Sequence, residues 1–75
     1  MKSLQHIIDA LEGKPIRTVV LNVRDRTVTI LHNNRPIHGV TYDQLESLFV
    51  MEAVAPNVAR LLHDQGVLPA SSWAN

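Results

Sequence analysis

Two β-branched runs separated by three charged residues govern what this chain can become. Ile16 to Val23 and Thr27 to Leu31 favour extended backbone, and Arg24-Asp25-Arg26 between them is too short for anything but a hairpin connection. Pairing Val23 with Val28 gathers Val19, Leu21, Val23, Val28 and Ile30 on one face. Thr18, Asn22, Arg24, Thr27 and Thr29 then share the other, beside Val20 and Leu31. A slip of one residue would mix the two sets, so the pattern sets the parity of the register. Asn33-Asn34 reads as a second turn, because asparagine, after glycine, best tolerates positive φ. It leads to a short third strand, Ile37 to Val40, and Pro36, with no amide to donate, places that strand at an edge.

Helical spacing brackets this sheet. Leu4, Ile7, Ile8 and Leu11 fall at i, i+3, i+4 and i+7, with Ser3 as a cap and Gly13 and Pro15 as the stop. Thr41 and Gln44 form a T-x-x-Q capping box, and Val40 and Leu45 occupy the staple positions around it, so a second helix is predicted from Thr41 to about Val54. Pro56 suits the first turn of a third helix, which carries Val58, Leu61 and Leu62 inward and stops at Gly66. Val67 to Asn75 reads as an irregular tail. The expected fold is one α+β domain over residues 1–75, order α-β-β-β-α-α, with a three-stranded antiparallel meander packed on helices by one face.

Composition narrows the means of holding such a domain together. There is no cysteine in the 75 residues, which removes disulfides and thiolate zinc sites, and the aromatics are only Tyr42, Phe49 and Trp73. An aliphatic core must therefore do the work. The first residues contain no apolar h-region, and the most apolar stretch, Leu48 to Ala55, is too short to span a bilayer. A cytoplasmic chain without a membrane partner is the expectation.

Candidate chemistries fail on placement. In a two- or four-residue turn register His32 and His38 point to opposite faces of the sheet, and His6 and His63 lie on separate helices. Ser71 and Ser72 fall in the tail, where no base is held near them, while His63 and Asp64 are neighbours on a helix and face different ways. Asp43 and Glu46 share a helix face, but acids are favoured in a first turn by the macrodipole alone. Gly13, Gly39 and Gly66 make no phosphate-binding loop. The expectation is a chain that is not an enzyme, with no metal site and no cofactor.

Charge and apolar surplus remain. Lys14, Arg17, Arg24, Arg26 and Arg35 stand against Asp25 alone between residues 14 and 40, a net of plus four, and the rest of the chain carries the balancing minus four. An arginine-bearing sheet face is thus expected to meet an acidic partner through Arg17, Arg24, Arg26 and Arg35. The second helix sets Leu45, Leu48, Phe49 and Glu52 on one stripe, yet Val50, Met51, Ala53, Val54 and Ala55 fill much of the remaining circumference. A helix apolar nearly all round needs cover on several sides, so self-association through Val50, Met51 and Val54 is expected, giving a homodimer. Together these features describe a small protein-interaction module: a regulator, inhibitor or adaptor of the kind found in bacterial and phage genomes. The alternative is a DNA-binding regulator. Val58 to Leu62 as a recognition helix and Gln65 to Leu68 as the start of a wing make residues 42–68 resemble a helix-turn-helix, with Asn57, Arg60 and His63 as readers. No glycine separates the helices, and the pair is net acidic, which opposes phosphate contact.

Overall fold

The hairpin forms with the expected parity but a different closing loop. The structure, a computed structural model, describes residues 4–69; the capping role of Ser3 and the tail beyond Pro69 lie outside them. Six elements follow in order: α1 (Leu4–Ala10), β1 (Thr18–Asn22), β2 (Thr27–His32), β3 (Arg35–Thr41), α2 (Tyr42–Val50) and α3 (Pro56–Asp64). The sheet is an antiparallel meander in the order β1-β2-β3. Leu21 pairs with Val28 and Asn22 with Thr27, so the loop is Val23 to Arg26. Val23 consequently leaves the core face and is 73% exposed. Pairing Val23 with Val28 would leave the two-residue loop Asp25-Arg26, whose tight type I′ turn needs positive φ at both positions. The four-residue loop needs it only at Arg26, which has φ 54°.

The second turn is the two-residue Asn33-Asn34 connection, both residues with positive φ (54° and 66°), between the paired His32 and Arg35. Beyond it the ladder breaks once. Leu31 pairs with Pro36, but Ile30 pairs with His38, which leaves Ile37 as the extra residue of a β-bulge. Proline cannot donate to a ladder, and a bulge beside it is where a sheet best tolerates one.

α2 begins as anticipated. The Thr41 hydroxyl accepts from the Gln44 backbone amide at 3.2 Å, and the Thr41 amide donates to the Gln44 side chain at 2.9 Å. The helix ends four residues before the predicted Val54, with Met51 as its C-cap and Glu52 in the left-handed region at φ 63°. Residues 53–55 then run as extended chain beside Ile16. The Ile16 amide donates to the Ala53 carbonyl at 2.7 Å, and the Ala55 amide donates to the Ile16 carbonyl at 3.0 Å. α3 starts on Pro56 as expected and buries Val58, Ala59 and Leu62. Leu61 does not join them and is 52% exposed.

Fifteen buried hydrophobics make the core among the described residues, all of them aliphatic. They come from α1 and its exit (Ile7, Leu11), the loop into the sheet (Ile16), the inner sheet face (Val28, Ile30, Val40), α2, the 53–55 segment and α3. Val67 and Leu68, placed by sequence in an irregular tail, are buried as well: the chain folds back after Gly66 (φ 78°) and inserts both side chains. The outer sheet face carries Thr18, Val20, Asn22, Thr27, Thr29 and Leu31, with an Asn22 Nδ2–H donating to the Thr29 hydroxyl at 3.1 Å. Among the described residues no helix is long and apolar enough to cross a membrane.

Candidate functional site

The cations named from sequence do not form one face. Arg24 and Arg26 sit in the loop closing β1 and β2, whereas Arg17 and Arg35 sit at the opposite end of the sheet, beside the Asn33-Asn34 turn. Alternation along a strand assigned Arg24 to the outer face, but it lies in the loop, so that face is a threonine and valine surface rather than an arginine one. Arg26 is partly spoken for, with its guanidinium carbon 4.9 Å from the centre of the Tyr42 ring. Such a contact draws on the negative face of the ring and ties the hairpin loop to the first residue of α2. Among the described residues Lys14, Arg17, Arg24 and Arg35 make no ion pair.

The residues named for self-association also separate. Val50 is 70% exposed and Met51 47%, but Val54 is only 6% exposed and is packed inside the chain by its bridge to Ile16. Ala55 is buried beside it. Much of the apolar surplus assigned to α2 therefore belongs to a segment that is not helical and that the chain covers itself.

The bulge alters the histidine geometry. Because His38 pairs with Ile30, it falls on the same sheet face as His32, not the opposite one as an unbroken ladder implies. His32 is nevertheless engaged elsewhere, its Nε2 lying 3.2 Å from a Glu12 carboxylate oxygen. His63 Nδ1 lies 3.7 Å from Asp64. Among the described residues no three or more His, Asp or Glu side chains converge in a way that would hold a metal ion. Ser71 and Ser72 lie outside the described residues.

What the fold does bring together centres on a short loop that sequence reading passed over. Pro15 lines three adjoining depressions, and Lys14 lines two of them. The first, about 420 Å³, is polar and basic: Lys14, Arg17, Thr18, His32, Asn33 and Asn34 surround it. The second, about 260 Å³, runs from Ile8 and Leu11 to Met51 and Ala53. The third, about 420 Å³, is framed by Pro15, Phe49, Glu52, Val54 and Pro56 and is mainly apolar. Two features position this surface. Gly13 (φ 78°) turns the chain out of α1, and the Ile16 bridge clamps the loop against the segment that follows α2. The only sequence signal for it was the Gly13–Pro15 helix stop, since the contact with residues 53–55 is long-range and has no local signature. Comparison with protein-family models, with curated proteins and with solved structures finds no match to this chain.

Proposed function

We propose that this chain is a small non-catalytic protein-binding module whose contact surface is the junction around Lys14 and Pro15. The observation that carries the reading is the meeting of three depressions on one loop, basic on one side and apolar on the other. Affinity in protein interfaces comes from apolar anchors in pockets, and flanking charges choose the partner. The matching partner is a protein segment that presents an apolar side chain to Phe49, Met51 and Pro56, with acidic residues beside it for Lys14 and Arg17. Both cations are exposed and make no ion pair among the described residues, so engaging them breaks no existing contact. The regulator, inhibitor or adaptor role follows from such binding without any reacting group.

A synthetic acidic peptide carrying one phenylalanine serves as the probe. Amide chemical shifts are expected to move saturably at Lys14, Arg17, Asn33, Met51 and Glu52. The response should be lost in Lys14→Glu and in Met51→Asp. Shifts that scatter over the molecule, or none at all, would remove the proposal. A parallel titration with duplex DNA that moved Asn57, Arg60 and His63 instead would favour the helix-turn-helix reading.

A further inference from the structure

We infer that two copies of this chain pair through the outer edges of their β1 strands, joining two meanders into one six-stranded sheet. The order β1-β2-β3 leaves two open edges, and they are built differently. The β3 edge carries Pro36 and the bulge at Ile37, two devices that spoil the template an edge offers to a further strand. The β1 edge has neither. Thr18–Asn22 is an unbroken five-residue ladder against β2 with no charge, proline or glycine in it. Among the described residues, none of the backbone hydrogen bonds made outside the helices and the sheet ladders involves this stretch. Its side chains are under-covered too: Val20 is 49% exposed, and Val19 and Leu21 are only half-buried where their partners Ile30 and Val28 are fully buried.

The occupant is argued from the strand's own sequence. A symmetric antiparallel pair about Val20 sets Val19 of one copy opposite Leu21 of the other and Thr18 opposite Asn22. Index sums are then even, so both inner faces stay on the same side and their cores adjoin across the two-fold axis. Arg17 meets Val23 and never meets Arg24, so no like charges oppose. Moving the axis to Val19 would set Arg17 against Leu21, and moving it to Leu21 would set Val20 against Asn22. The arrangement about Val20 alone matches apolar with apolar and polar with polar at all five positions. The edge adjoins the Lys14–Pro15 surface at Arg17 and Thr18, but its test reads self-association and not probe binding, so the two readings can fail separately.

Sedimentation of the full chain across the micromolar range tests it. The wild type is expected to run at dimer mass and Val20→Lys at monomer mass, because the substitution sets two ammonium groups face to face on the axis. Circular dichroism of Val20→Lys checks that it remains folded. Met51→Asp should keep the dimer. As a measure that needs no variant, amide exchange within Thr18–Asn22 should slow as wild-type concentration rises. A monomeric wild type overturns the inference, as does a dimer that survives Val20→Lys. A dimer lost in Met51→Asp but not in Val20→Lys would place self-association at the end of α2 instead.

Discussion

At the level of single residues, the contacts that locate the start of α2 are also the ones a local pattern can encode. Thr41 and Gln44 satisfy one another's backbone amides three positions apart, so nothing distant is required. Removing the hydroxyl in Thr41→Ala leaves the Gln44 amide without its acceptor and should lower stability by about 1 kcal/mol. Thr41→Ser, which keeps the oxygen, should cost little. A denaturant midpoint that falls only for alanine is the expected result; equal midpoints would move the helix start elsewhere. By contrast, the contact of Arg26 with Tyr42 joins a hairpin loop to a helix sixteen positions later, and no spacing rule announces it.

Elements differ in how far their boundaries can be read. The expectation for α2 runs to about Val54, and Met51 to Ala55 contains no proline or glycine that would stop a helix. Its real end is set by Glu52, which adopts φ 63° and turns residues 53–55 alongside Ile16. A left-handed glutamate is strained by roughly 1 kcal/mol, and glycine at that position is not. Glu52→Gly should therefore raise stability by about 0.5 kcal/mol or more, whereas glycine inside a continuing helix would lower it by about 1 kcal/mol. Thermal or chemical denaturation reads the sign directly. The same contrast explains β3: Pro36 correctly signalled an edge, but the bulge it brings shifts every later residue across the sheet, including His38.

For the whole molecule, the surprise is that Val67 and Leu68 are core residues. A domain of this length is stabilised by only about 4 to 11 kcal/mol. Emptying the Leu68 site, 2% exposed, by Leu68→Ala should cost about 2 to 4 kcal/mol, a large part of that margin. A leucine in a free tail would cost close to nothing, so the unfolding midpoint of this variant decides whether the return after Gly66 closes the core. The same scale bears on the binding surface. The loop of Lys14 and Pro15 is shaped by the 53–55 segment and by β2, so variants that loosen the core should weaken probe binding without touching the surface itself.

What the amino-acid sequence determined by itself was the class of the domain, the order of its elements, the parity of the hairpin, the Asn33-Asn34 turn, the capping box of α2 and the aliphatic nature of the core. Each rests on periods of two or about 3.6 residues, or on backbone preferences of one or two neighbours, which act before any tertiary contact exists. Only the tertiary structure decided that Val23 and Leu61 face solvent, that Val54 is packed within the chain, that Val67 and Leu68 close the core, and that Pro15 lies at the meeting of three depressions. Those outcomes depend on a choice among alternatives of similar local energy: one loop register or the next, four more helical residues or an extended bridge. The choice falls to whichever arrangement buries the most apolar surface while pairing its backbone groups, and that comparison exists only once distant segments have met.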